Sequence, residues 1–186
     1  MSTPVAAVLP PEGGPRLSVV RSHRRLLGLT VGLILIVGLT TVLRAGIAGP
    51  VQVSSSSMLP TLAKGDVVLV RRAGLSLGDL HHGDLVTFDS PDDGRPALKR
   101  VVGLPGDTVV IKDAVLYVQD QPVDEPYVDH QLIDAYYTPT YTVPSGTFFV
   151  MGDHRSNSTD SRDYGPVDAD DLTGRVLVRL WPPARR

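Results

Sequence analysis

The feature that most constrains the fold is an uncharged apolar run, LLGLTVGLILIVGLTTVL, at residues 26–43. As an α-helix, these 18 residues would extend about 27 Å, close to the thickness of the hydrocarbon core of a bilayer. Several arginines precede the run, and Arg44 is the only charged residue after it until Lys64. This asymmetry predicts a helix that crosses the membrane once, with the N-terminus in the cytoplasm and the rest of the chain outside.

Two other interpretations of this run are open. Gly46-Ile47-Ala48 fits the small-x-small pattern of a cleavable signal peptide, but the apolar part of such a peptide is usually about 7–15 residues long. A buried core helix is disfavoured because the run is apolar all round and follows a basic cluster. The predicted domains are a disordered cytoplasmic tail (1–23), a transmembrane helix (24–44) and an extracytoplasmic β-rich domain (45–186).

After residue 50, short runs of β-forming residues alternate with turn signals such as SPDDGRP at 90–96. No helical period is sustained there, and the pattern is typical of one mostly antiparallel β domain. The predicted fold class is therefore all-β, with one N-terminal transmembrane helix. The predicted strands are Asp66–Arg71, Asp84–Phe88, Ala97–Val102, Thr108–Lys112, Val115–Val118, Tyr141–Val143, Thr147–Met151 and Gly174–Leu180.

Composition excludes several classes of function. The net charge of −2 argues against binding of nucleic acid, which requires a basic surface. The chain has no cysteine, so thiolate chemistry and cysteine-ligated metals are excluded. His81-His82 is not expected to form a metal site, and no cofactor is expected.

The serine run at 54–57 raises the question of a nucleophile, because it leads into Met-Leu-Pro rather than continuing as a linker. A serine hydroxyl needs a base to accept its proton. A triad of Ser57, His154 and an aspartate is one possibility. A Ser–Lys dyad is the other, and Lys99 suits it because alternation in the strand ALKRVV predicts that Lys99 and Arg100 point to opposite faces, with one of them directed inward.

Three motifs occur in order along the chain: SSSSMLPTL at 54–62, LKRVVGLPGD at 98–107 and GDHRSNSTDSRDYG at 152–165. Together they resemble the conserved boxes of bacterial type I signal peptidases, which are membrane-anchored Ser–Lys endopeptidases. The resemblance extends over about residues 26–181. It implies that Ser57 is the nucleophile, that Lys99 is the general base, and that Ser55 donates to the oxyanion together with the Ser57 N–H.

The resemblance also implies roles around this pair. Ser158 matches the serine that orients the lysine, and Asp160 and Arg162 match a supporting ion pair. The residues that match the family's shallow substrate pockets are Val53, Met58, Leu62 and Leu98. Each of these four suits the apolar core equally well.

This sequence departs from the family's pattern at three places. Ser54 stands where a proline is common. His154 stands where an asparagine or similar residue is usual, which leaves a histidine-assisted variant open. The region between Lys99 and Gly152 is short, so no large second domain is inserted.

The resemblance implies that the partners are preprotein signal peptides, which have small residues at the first and third positions before the cut, and the phospholipid membrane. An extended peptide can pair with a sheet edge, and the strand leading into Ser57, with Val51 and Val53, is the expected edge. The expected location is the cell membrane, and a monomer is expected. A self-cleaving Ser–Lys repressor is rejected because the N-terminal segment is apolar rather than a DNA-binding module. A membrane-tethered β domain that binds peptides without cutting them remains an alternative.

Overall fold

The computed structural model describes residues 17–44, 46–128 and 137–182, in two compact units, Met1–Val42 and Leu43–Arg186. Helix α1 spans Leu17–Arg44, so it includes residues 17–23, which were predicted to belong to a disordered tail. No glycine or proline interrupts the sequence between Pro15 and Gly28, and the helix therefore starts earlier than predicted. The rest of the predicted tail lies outside the described residues.

A helix both long and apolar enough to cross a membrane is not found within the described part of the chain. The predicted transmembrane helix is therefore not confirmed.

The described part of the second unit contains short strands, short 3-10 helices and the four-residue α-helix α2 (Ser161–Tyr164). The strands are β1 (Ala48–Gln52), β2 (Val67–Arg71), β3 (Leu85–Asp89), β4 (Pro96–Gly103), β5 (Thr108–Lys112), β6 (Val115–Val118), β7 (Gln121–Pro122), β8 (Tyr141–Thr142), β9 (Thr147–Met151), β10 (Val167–Asp168) and β11 (Leu172–Trp181).

These strands form two sheets, and every described pair of strands is antiparallel. The larger sheet has the order β1-β2-β11-β3-β4-β9-β10, and the smaller has the order β7-β6-β5-β8. The prediction of a mostly antiparallel β domain is confirmed. Each of the eight predicted strands is present within two residues of its predicted ends.

Strands β7 and β10 were not predicted, and β1 was expected only as an edge strand leading into Ser57, without defined ends. β1 has the sequence AGPVQ, and its glycine and proline are poor strand formers in sequence-based terms. It pairs with β2 at the edge of the larger sheet, where proline is tolerated. β7 and β10 have only two residues each, which is too short for alternation to be visible.

Strands β4 and β9 each contribute side chains to two apolar clusters, one cluster on each face. Val101 and Phe148 belong to one cluster, which also contains Val86 and Phe88. The next residues along each strand, Val102 and Phe149, belong to a second cluster around β5 and β6. Consecutive strand residues point to opposite faces, so both faces of β4 are covered. Polar residues in β4 are consequently buried whichever way they point.

Candidate active site

The serine run lies between β1 and β2, and two backbone hydrogen bonds hold its start in place. The Val53 N–H donates to the Asp66 carbonyl, and the Val53 carbonyl accepts from the Gly65 N–H, each at 2.8 Å. Val53 and Met58 are buried in a third apolar cluster beside β2. With apolar anchors on both sides, Ser57 is itself buried, at 7% exposure.

Ser57 and Lys99 line the same cavity, which has a volume of about 370 Å³. Val53, Met58 and Leu98, three of the predicted pocket residues, also line it. Leu62, the fourth, is not among the lining residues and is buried at 3% exposure in the third cluster, where it has the core role weighed for it above.

Lys99 and Arg100 are both buried, although only one of them was predicted to point inward. Their residual exposures are 6% and 9%. Alternation along β4 does send them to opposite faces, but both faces of this strand are covered. A pattern in one strand does not reveal how many layers pack on it.

The amine of Lys99 belongs to a chain of hydrogen bonds. Lys99 Nζ donates to Ser158 Oγ at 2.9 Å, and Ser158 Oγ donates to Asp160 Oδ2 at 2.8 Å. Asp160 is fully buried and also accepts from the Gly152 N–H at 2.9 Å and from Arg162 Nε at 2.9 Å. Asp160 also caps the N-terminus of α2. The third motif thus supplies a rigid acceptor for the lysine.

Burial lowers the pKa of Lys99, because a charged ammonium is disfavoured away from water. The negative charge of Asp160 opposes this effect, and the positive charge of Arg162 adds to it. Burial alone would raise the pKa of Asp160, but Arg162, the Gly152 N–H and Ser158 outweigh burial and lower it. Asp160 is therefore held as a carboxylate while Lys99 is shifted towards the neutral amine.

Ser55 is the described hydrogen-bond partner of the Ser57 hydroxyl, with 3.1 Å between the two oxygens. A direct Lys99–Ser57 bond is not among the hydrogen bonds of the described residues, where Lys99 donates to Ser158 instead. Catalytic hydrogen bonds are often long before substrate binds. The structure thus brings Ser55, Ser57, Lys99, Ser158, Asp160 and Arg162 into one connected region.

A second ion pair supports the same loop and was missed from the sequence. Arg100 donates to Asp153 through Nε at 2.8 Å and Nη2 at 2.6 Å, and Thr61 Oγ1 donates to Asp153 at 2.5 Å. The first, second and third motifs each contribute one of these residues. Their adjacency in the motifs to Leu62, Lys99 and Gly152 was the available signal.

A third buried pair joins Arg155 to Glu125, with Nη2 and Oε1 2.5 Å apart. Both side chains are 3% exposed. Tyr127 donates to Glu125 at 3.1 Å, and the Arg100 guanidinium lies 3.7 Å from the centre of the Tyr127 ring. Glu125 and Tyr127 lie outside the three motifs, and nothing in the sequence pattern around them marked them.

The backbone N–H and the ring Nδ1 of His154 both face backbone oxygens. Its N–H donates to the Ser57 carbonyl at 3.0 Å, and Nδ1 lies 3.4 Å from the Ser56 carbonyl. His82 lies 2.6 Å from Asp107, and His81 faces Asp84 at 3.8 Å. Within residues 17–128 and 137–182, apart from residue 45, no three His, Asp or Glu side chains are grouped to hold a metal ion.

Comparison with known proteins identifies the family. A family model described as signal peptidase, peptidase S26, matches residues 26–181. The chain is 36% identical over 155 residues to "Probable signal peptidase I-1" of Synechocystis, with 79% of this chain and 78% of the relative covered. It is 35% identical over 162 residues to "Signal peptidase I U" of Bacillus subtilis, with 83% and 87% covered.

"Signal peptidase IB" of Staphylococcus aureus is 36% identical over 152 residues, with 73% of this chain and 79% of the relative covered. A crystal structure of a signal peptidase I from Enterococcus faecalis aligns with a TM-score of 0.48 and 33% identity, with 54% of this chain and 97% of that chain covered. The family match extends over most of the sequence, and the resemblance predicted from the three motifs is confirmed: the chain belongs to the signal peptidase family, peptidase S26.

Proposed function

We propose that the chain is a membrane-bound serine endopeptidase that removes N-terminal signal peptides from exported preproteins with a Ser57–Lys99 dyad. The observation that carries the proposal is the buried Lys99 amine, which lines one cavity with Ser57 and is oriented by Ser158. The family membership supports the reaction class, and the relatives are named signal peptidases.

In the first step, neutral Lys99 accepts the proton of the Ser57 hydroxyl, and the Ser57 oxygen attacks the carbonyl carbon of the scissile peptide bond. Burial supports this step because it favours the neutral amine. The bond from Lys99 Nζ to Ser158 limits the positions of the amine and keeps it at the cavity wall.

The attack creates a negatively charged tetrahedral intermediate that needs hydrogen-bond donors. The Ser57 N–H and the Ser55 hydroxyl are the proposed donors, and Ser55 Oγ already lies 3.1 Å from Ser57 Oγ. The Lys99 ammonium then protonates the departing amine, which leaves an acyl group on Ser57. A water that gives a proton to Lys99 then attacks this ester. The Lys99 ammonium returns a proton to the Ser57 oxygen as its bond to the acyl carbon breaks, which restores the enzyme.

The substrate is proposed to bind as an extended strand. β1 is an edge strand of the larger sheet. Residues 51–53, at the end of β1, line the cavity together with residues 96–98 of β4. An extended peptide can pair with such an edge. The walls formed by Val53, Met58 and Leu98 suit small apolar side chains next to the cut.

The membrane location is also part of the proposal. It is supported by the uncharged run at 26–43 and the arginines that precede it. The end of β11 adds an exposed apolar group in the second unit, formed by Leu177, Val178, Leu180 and Trp181. The check is extraction of cell membranes at alkaline pH. Retention of the chain in the membrane fraction is expected, and its complete release would contradict this part of the proposal.

The function itself is tested by incubating the purified full chain, in detergent, with a preprotein that carries a signal peptide. A single cut after a small residue, located by mass spectrometry of the products, is expected. An acylating β-lactam-type inhibitor should label Ser57. If the chain binds signal peptides but neither cuts them nor becomes acylated, the peptide-binding alternative replaces the enzyme.

The pH dependence of kcat/KM follows from the lowered pKa of Lys99. The neutral amine is the active form and burial lowers the pKa of Lys99, so kcat/KM should rise with pH and level off below the pH at which an exposed lysine titrates. A pH profile of kcat/KM for preprotein cleavage measures this. A rise centred on the ordinary pKa of lysine would contradict the proposed state of Lys99.

Gly152→Ala should lower both activity and stability, because the backbone at Gly152 packs closely against Ser158 and Ser57. A methyl group there would overlap the Ser158 hydroxyl and lie 2.7 Å from the Ser57 carbonyl oxygen. Both catalytic segments must then move, so we expect kcat/KM to fall about 100-fold and stability to fall by about 1–3 kcal/mol.

The matched control for this substitution is Gly78→Ala, where the added carbon meets only Ser76 Oγ at 3.8 Å. Cleavage kinetics and urea unfolding of the two variants give the comparison. Equal kinetics for both would show that the close packing at Gly152 is not needed.

A further inference from the structure

His154 contacts the backbone on both sides of the nucleophile's α-carbon. Its N–H donates to the Ser57 carbonyl at 3.0 Å, and its ring Nδ1 lies 3.4 Å from the Ser56 carbonyl oxygen. A carbonyl oxygen can only accept, so this contact is a hydrogen bond when Nδ1 carries the proton. The first contact is available to any residue except proline, whereas the second depends on the side chain.

The Ser56 carbonyl and the Ser57 N–H belong to one planar peptide unit. A donor that fixes the direction of the carbonyl therefore also fixes the direction of the N–H, which points the opposite way. In the proposed mechanism this N–H donates a hydrogen bond to the negatively charged oxyanion. The Ser56 carbonyl also accepts from the Leu59 N–H at 3.1 Å, so His154 is its second donor.

We propose that His154 is a positioning residue that orients and polarises the oxyanion-binding N–H of Ser57 through the Ser56 carbonyl. The inference rests on the proposed function, since it assigns His154 a part in the same reaction. When the N–H donates to the oxyanion, the carbonyl of the same peptide becomes a stronger acceptor, and linked hydrogen bonds strengthen one another. The His154 bond thus strengthens as charge develops, and its loss should lower kcat rather than raise KM.

The backbone of His154 is held by its neighbours. Asp153 is 1% exposed and bound by Arg100, and Arg155 is 3% exposed and paired with Glu125. The His154 carbonyl accepts from the Asn157 N–H at 2.9 Å. Because these contacts do not involve the imidazole, substitution of the side chain should leave the loop in place.

Asn157 provides a second link to the same serine. Its side-chain Nδ2 donates to Ser56 Oγ at 3.0 Å. The third motif therefore reaches Ser56 through its hydroxyl as well as through its carbonyl. Any displacement of the peptide unit after His154 is changed will be limited by this bond, which argues for a moderate effect rather than complete loss.

Covalent geometry defines a series of substitutions. In His154→Asn, the amide nitrogen is bonded to Cγ, as Nδ1 is in histidine, so it can donate from nearly the same point. In His154→Leu, a methyl group occupies that point without a proton to donate. In His154→Asp, a carboxylate oxygen faces the carbonyl oxygen and repels it.

The test measures kcat and KM for preprotein cleavage, together with thermal unfolding, for the wild type and these three variants. We expect His154→Leu to lower kcat about three- to tenfold with KM unchanged. His154→Asn should retain the wild-type kcat, and His154→Asp should fall below His154→Leu. All unfolding temperatures should remain close together.

A wild-type kcat in His154→Leu, while the wild type cuts and Ser57 is acylated, would overturn this inference and leave the proposed function intact. Losses of kcat that follow thermal stability instead of the order asparagine, leucine, aspartate would also overturn it, because they would indicate packing alone. A wild type that neither cuts nor is acylated would overturn the proposed function and this inference with it.

Discussion

Replacement of Ser57 or Lys99 by alanine is expected to lower kcat for preprotein cleavage by about 10⁴-fold or more. In the proposed mechanism, Ser57→Ala removes the atom that forms the acyl intermediate, and Lys99→Ala removes the base. Because the two residues act as one unit, the double variant should be no slower than either single variant. The measurement is the initial rate of cleavage at saturating preprotein.

Lys99→Arg should be as inactive as Lys99→Ala. The guanidinium remains protonated at every accessible pH, so it cannot accept the Ser57 proton. This variant distinguishes a base, which must accept a proton, from a fixed positive charge at this position. If Lys99→Arg cut at the wild-type rate, the residue would be acting as a fixed charge rather than as a base.

The matched controls are Ser145→Ala and Lys64→Ala, because both residues are exposed and neither lines the cavity. Each should retain the wild-type rate. If Ser57→Ala cut the preprotein at the wild-type rate, another serine would be the nucleophile. Mass spectrometry of the acylated protein would then identify which member of the serine run is modified.

Glu125→Gln is expected to destabilise the protein by about 3–5 kcal/mol, since it leaves Arg155 charged and buried without a carboxylate. The Arg155 side chain is 3% exposed. The other described hydrogen bond of its guanidinium is from Nε to the Gly152 carbonyl, at 3.2 Å. Tyr127 loses its bond to the carboxylate at the same time. Urea unfolding followed by far-ultraviolet circular dichroism measures the change.

A double variant tests the reason for this loss. In Glu125→Leu with Arg155→Met, both charges are removed together, and most of the stability should return because no unpaired charge remains. Asp120→Asn is the control, since its ion pair with Lys112 is exposed and 3.8 Å long, and such pairs contribute little. If Glu125→Gln were as stable as Asp120→Asn, the buried pair would not hold the loop as argued.

The strands were predictable because alternation of apolar and polar residues is a local property. Thr108–Lys112, Val115–Val118 and Thr147–Met151 have the ends that were predicted. An edge strand leading into Ser57 was expected, but the ends of β1 were not predictable. Its Gly49 and Pro50 suit a strand only at the edge of a sheet, and edge position is a property of the whole sheet.

The residues of the candidate site also fall into two groups, those that a local motif marks and those that only the fold brings together. The three motifs marked Ser57, Lys99 and Ser158, since a family's chemistry requires these residue types at nearly fixed local spacing. The partnership of Glu125 with Arg155 spans 30 residues, and no local pattern relates them. Leu62 shows the same limit, because its residue type suits a pocket and a core equally.

The sequence alone determined the family, the antiparallel β class and the identity of the residues proposed for catalysis, because each of these depends on short-range pattern. Only the tertiary structure decided that Lys99 and Arg100 are both buried and that His154 faces the Ser56 carbonyl. It also decided that Lys99 donates a hydrogen bond to Ser158, which donates in turn to Asp160. These features depend on which surfaces cover β4 and on segments distant in the chain that meet there. Packing, rather than spacing, sets the environment in which the proposed chemistry would occur.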